Sequence, residues 1–186
     1  MARVRGQKTV YQGWLYDVVN FTGGTPFTTA SFFTVQQGQS GKTRADTNVI
    51  TPSSFTGVNA LKIKSYVLKM EDLALTQDAK RLQTTSLTLF VNDTPVPDPI
   101  PCEFILGGST LVESVRGVAA APEFRAVAGS GFVTNALTFV NPGLVVLDPG
   151  DTYRADLEAP AAGGVTMDEN MRVRLILFGP RSKPTM

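Results

Sequence analysis

The residues with most capacity for chemistry fall into a few small groups. Gly38-Gln-Ser-Gly-Lys-Thr43 ends like a phosphate-binding loop, in which backbone amides and a lysine gather a phosphate. The spacing fails, because the first glycine of that motif would stand at position 36, which is Gln36. No helix pattern comes after Thr43 either; the chain runs into Asn48 and Pro52, so the segment reads as a polar surface loop. Glu71-Asp72 and Asp168-Glu169 could supply a glycosidase pair or divalent-ion ligands. A hydrolase needs one carboxyl in an apolar pocket and a second across a cleft, whereas sequence neighbours point apart into solvent. Asp168-Glu-Asn170 is only a fragment of a calcium loop.

Cys102 is the only cysteine, so no disulfide can form within the chain, and a cysteine-rich metal site is excluded. The chain has no histidine. That removes the commonest general base, the Ser-His and Cys-His nucleophile systems and the usual transition-metal ligand. Cys102, behind the proline-rich run Pro95–Pro101, then reads as an inert and partly buried thiol. We expect no catalytic, cofactor-binding or metal-binding residues and no enzymatic activity. Lys62, Lys64 and Lys69 lie on or beside one strand and could face nucleic acid. Nothing aromatic is interleaved with them as a single-strand platform requires, so they read as a solvent face or a protected edge.

The elements that carry these residues are mostly short strands. Ala60–Leu68 places Leu61 and Ile63 on one face and Lys62 and Lys64 on the other. Ser86–Val91 alternates as well, and Arg172–Phe178 alternates before turning continuously apolar, as a strand covered on both faces would. Tyr11–Val19 and Thr28–Val35 are further strands, with weaker candidates at Phe104–Leu106, Phe124–Val127, Phe132–Val140, Leu144–Leu147 and Tyr153–Leu157. Helix patterns are confined to Leu73–Leu82 and Thr110–Val118. Turn residues such as Asp148-Pro-Gly-Asp151 punctuate roughly eight to ten strands, which argues for an all-β sandwich or barrel.

The chain's 186 residues suit one domain, read as a single β-barrel over 1–186. Seventeen basic residues against sixteen acidic give a net charge of +1, which excludes a strongly basic nucleic-acid binder and leaves little repulsion against self-association. No signal-peptide core comes after the charged N-terminus, and no apolar run approaches the roughly 18–20 residues of a membrane span, so a cytoplasm-like compartment is expected. The ends, 1–9 and 180–186, read as extended arms. Their basic residues Arg3, Arg5, Lys8, Arg181 and Lys183 fit either solvated tails or arms that cross to a neighbouring subunit, a genome or a membrane.

The order of these phrases resembles single jelly-roll capsid proteins of tailless icosahedral bacteriophages, including those with an internal membrane. The likeness rests on Ser31-Phe-Phe-Thr-Val35, Asp46-Thr-Asn48, Phe55, Leu61–Val67, Thr85–Leu89, Leu144–Gly150, Tyr153–Leu157 and Val173–Gly179. It implies a two-sheet jelly roll of antiparallel strands in a virion shell, assembled in the host cytoplasm. Its partners would be copies of itself and other coat proteins, with the basic ends near packaged nucleic acid or an internal membrane. The alternative is a non-catalytic carbohydrate- or receptor-binding β-sandwich, which would need an exposed row of aromatic rings.

Overall fold

In Met171–Lys183 the odd-numbered residues from Met171 to Gly179 are buried and the even-numbered ones only partly so. This is the period-two signature of a strand with one face on the core. The structure, a computed structural model, describes residues 9–71, 74–96, 99–102, 105, 114–116, 123–126, 137–138, 145–160 and 162–183. In order its strands are β1 (Thr9–Phe21), β2 (Pro26–Phe27), β3 (Thr29–Phe32), β4 (Leu61–Ile63), β5 (Ser65–Met70) and β6 (Ala74–Leu75). The helix α1 (Thr76–Gln83) precedes β7 (Ser86–Val91), β8 (Thr94–Pro95), β9 (Ile100–Pro101), β10 (Ser114–Arg116) and β11 (Glu123–Ala126). The last five are β12 (Leu137–Thr138), β13 (Val145–Leu147), β14 (Tyr153–Glu158), β15 (Val165–Thr166) and β16 (Met171–Lys183).

These form an all-β, sandwich-like structure of antiparallel pairs. In the larger sheet β16 lies between β1 on one side and β4–β5 on the other, and β12 and β13 pair the far edge of β5 and β4. In the second sheet the order is β3–β14–β7, with β8 and β9 sharing the outer edge of β7. Two small sheets, β10–β11–β6 and β15–β2, lie outside these. Buried residues of both large sheets, among them Leu15, Leu68 and Leu175 from one and Phe32, Leu89 and Leu157 from the other, form one apolar cluster. Their removal from water is the main favourable contribution to folding.

A bulge interrupts the β4–β5 run. Leu61 is opposite Arg181 while Ser65 is opposite Phe178, so four steps on one strand face three on the other. The extra residue is Lys64, whose N–H donates to the Phe178 carbonyl at 2.8 Å. The bulge turns Lys64 outward, like Lys62. It also brings the Lys62 carbonyl so close to Gly179 that a Cβ there would lie 1.7 Å from the oxygen, which only glycine avoids.

Three expectations change in the structure. Ala74–Leu75 is strand, and helix is confined to Thr76–Gln83 rather than spanning Leu73–Leu82. Ser114–Arg116, expected within a helix, pairs with Glu123–Ala126, because a short isolated helix is too weak to compete with sheet pairing. The strand expected at Phe104–Leu106 is represented by one described residue, Ile105, which is helical and buried.

The 28 residues between β3 and β4 are held by a carboxylate inside the sandwich. Asp17, fully buried on β1, accepts the Phe33 N–H at 2.6 Å and the Lys42 ammonium at 2.6 Å. Phe33 has φ +68°, a left-handed conformation rare for a bulky residue. Its backbone donor on Asp17 and its buried ring, 5.3 Å from that of Tyr153, hold it there. Asp17→Ala should strand both the ammonium and the amide and cost about 3–5 kcal/mol of stability in urea unfolding. A loss below about 1 kcal/mol would show that water replaces the carboxylate and that the pair is no anchor.

Candidate functional site

The groups with chemical capacity are, in the structure, mostly engaged by one another. Lys42 of the glycine-rich loop is used by Asp17, and the loop is a sequence of turns with no helix behind it. Asp78, in the first turn of α1, accepts the backbone N–H groups of Asp168 and Glu169 at 2.9 and 3.2 Å. Arg81 then bridges Asp78 at 3.0 Å and Asp168 at 2.6 Å, and its guanidinium is held even more firmly charged than usual, first by Asp168. The acidic pair therefore fastens the segment before β16 to the helix. Glu71 holds Arg174 at 2.6 Å and Arg172 at 3.3 Å, and Arg172 also pairs with Asp46. The Thr43 N–H, then its hydroxyl, and after these Arg172 keep the Asp46 carboxyl below its ordinary value. Asp72 lies outside the described residues.

These charges border a cleft of about 470 Å³ lined by Phe21, Ser40, Lys42, Asp46, Asn170 and Arg172. Each of the three charged side chains in that group already has a partner of opposite sign. Among the described residues no cluster of three potential metal ligands occurs. Cys102 is buried, and burial pushes its thiol up to about 11 against a smaller downward pull from a hydrogen bond with Thr85.

A different surface is less completely engaged. On the outer face of the larger sheet, Trp14 is opposite Phe178, which is opposite Ser65 beside the bulged Lys64. The next row is Tyr16, Ile176 and Val67, and the next Val18, Arg174 and Lys69. Trp14 is 55% exposed. Lys62 and Lys64 are exposed and Lys69 partly so, and none of the three has an ion pair among the described residues. The sequence shows the lysines but not the rings, because Trp14, Tyr16 and Phe178 reach them only through cross-strand register. The role of Asp17 is hidden in the same way. Its signal is a lone carboxylate in the apolar stretch Leu15–Val19, which must find a partner if it faces inward.

The basic ends behave differently from free arms where they are described. Pro180–Lys183 pairs with Thr9–Gln12 as the end of the β1–β16 ladder. Arg181 lies over the Phe55 ring at 5.0 Å and against Gly13, where a Cβ would come within 2.7 Å of its side chain. Lys183 is opposite Thr9 in the same ladder. The arm expected at 180–186 is thus sheet as far as Lys183, since two long strands can keep pairing to their ends. Arg3, Arg5 and Lys8 lie outside the described residues. No family model, no curated protein and no solved structure matches this chain.

The buried thiol can be probed directly. Native protein at pH 8 should resist alkylation by iodoacetamide, with one adduct appearing only when the chain is unfolded. Since burial raises the thiol's ionisation, reactivity should climb only towards pH 11. Rapid labelling of native protein at pH 8, read by intact mass, would mean that Cys102 is accessible and ionised.

Proposed function

We propose that this protein is a viral structural protein, a single jelly-roll subunit of an icosahedral shell that works by contact with copies of itself and with other coat proteins. The observation that carries the reading is the strand order. Eight runs in chain order are β1, β3, β4–β5, β7, β8–β9, β12–β13, β14 and β16. Numbered so, one large sheet runs 1–8–3–6 and the other 2–7–4–5. The chain's first and last runs pair along their length, and each sheet takes strands from both ends of the sequence. A double Greek key wound into two facing sheets has this order, which supports the jelly roll.

The surface supports the same reading. The long connection after β3 is fixed by Asp17 and by side chains rather than left loose, and rigid loops present reproducible shapes to neighbours. A net charge of +1 sets little repulsion against close packing of copies. The engaged state of the candidate catalytic groups favours a structural role over a catalytic one. A glycan-binding module asks for a row of open rings, and among the described side chains Trp14 is the only aromatic more than a third exposed.

Light scattering across a range of protein and salt concentrations tests the proposal. Growth from single chains to defined rings or shells, visible by electron microscopy, is expected. Dissociation at high salt would add that charged contacts hold the particles. A mass fixed at one chain at every concentration, alone and with co-expressed coat proteins, would overturn it.

A further inference from the structure

The outer face of the larger sheet combines an open ring on β1 with cations on β5 and the bulge before it, across β16, that have no ion pair among the described residues. We propose that this face binds single-stranded nucleic acid, with Trp14 stacking on a base and Lys62, Lys64 and Lys69 meeting phosphates. Such binding needs this surface alone and does not depend on shell assembly.

Charge selects the class of partner. Lys62, Lys64 and Lys69 have no ion pair among the described residues, while Glu71, two residues beyond Lys69, is taken by Arg172 and Arg174. The partner is therefore anionic. A symmetric contact with a second copy would set these lysines against one another. Among the described residues, Asp17, Asp46, Asp78, Asp93, Asp156 and Asp168 are each held by a lysine or arginine of their own chain, which leaves fewer carboxylates to meet these lysines from a second copy.

Geometry selects among polyanions. Lys62 and Lys64 stand two residues apart on an extended run, about 6–7 Å, close to one step of an extended single strand. Trp14 sits two strand spacings from Lys64, about 10 Å, with Phe178 between them. A base on Trp14 thus leaves its backbone over the lysines, the pattern of sheet surfaces that bind single strands through rings and cations. A membrane would favour several protruding apolar groups with lysines around their rim. Here Ile176 and Phe178 are half-buried, so Trp14 is the one large exposed apolar group in these rows and the lysines lie on the same sheet face.

Trp14 is the chain's only tryptophan, so its fluorescence reports this site directly. Titration of the full chain with a thymidine 20-mer at low salt should quench the emission. Three phosphate contacts predict a loss of about 20-fold in affinity between 50 and 200 mM salt. Trp14→Ala should weaken binding about tenfold or more, measured with a labelled oligomer, and Trp14→Phe should retain most of it. The double change Lys62→Glu and Lys64→Glu should abolish binding, with circular dichroism confirming that each variant stays folded. Absence of binding at 50 mM salt would overturn the proposal, as would binding unaffected by Trp14→Ala. So would a blue shift of Trp14 on phosphatidylserine vesicles with no response to the oligomer, which would assign the face to lipid.

Discussion

The Asp17 carboxylate is the interaction on which the ordering of the longest described loop depends. It is buried between the sheets, where a lone charge would be strongly disfavoured, and its two strong partners both come from the segment after β3. One is the amide of Phe33, held in a conformation that costs on the order of 1–3 kcal/mol without support. The other is Lys42, which crosses from the polar loop to reach it. A single buried charge thereby fixes where that loop leaves β3 and where it returns to β1.

That anchor leads to closure of a sheet edge. Beyond Lys42 the chain runs beside β1, where Asn48 donates its N–H to the Tyr16 carbonyl and its side-chain oxygen accepts the Tyr16 N–H. The same amide's nitrogen donates to the Trp14 carbonyl. One side chain thus imitates a strand against an edge that would otherwise pair with another chain. The Tyr16 hydroxyl donates to the Arg44 carbonyl, and Arg174 donates to the Ala45 carbonyl, so the loop also covers the lower part of the outer face. The upper part, around Trp14 and the bulge, stays open.

Much of the sheet framework is legible in the sequence, and the pattern of success has a physical cause. Ser86–Val91 agrees to the residue and Tyr153–Glu158 is close, while Arg172–Phe178 lies inside the longer strand Met171–Lys183, because one buried and one wetter face leave a period-two trace. The alternation of Ala60–Leu68 locates a strand but not its bulge, since an extra residue leaves the local pattern nearly intact while shifting the register beyond it. Two-residue strands such as β8 and β9 carry too little sequence to signal pairing. Asn92-Asp93, both at positive φ, form the tight turn between β7 and β8 from residues that favour it. The candidate surface is half legible. Its lysines are neighbours along the chain, but Trp14 and Phe178 join them only after strands from opposite ends of the sequence have paired.

Lys42 apart, the internal ties fall to arginines and the open cations of the outer face are lysines. Arg81, Arg154, Arg172 and Arg174 each hold one or more carboxylates, and each bridges segments far apart in sequence. A planar guanidinium with several donors suits such fixed geometry. Lys62, Lys64 and Lys69 form no ion pair among the described residues, and an ammonium on a flexible stem suits a surface that keeps its hydration until a partner arrives. A net charge of +1 therefore conceals an uneven arrangement. Asp17, Asp46, Glu71, Asp78, Asp93, Asp156 and Asp168 are spent on internal ties, while Lys62 and Lys64, on the open part of one sheet, have no ion pair among the described residues. Whole-chain charge is a poor guide in such a case, because only the unpaired fraction acts on another molecule at distances beyond a few ångströms.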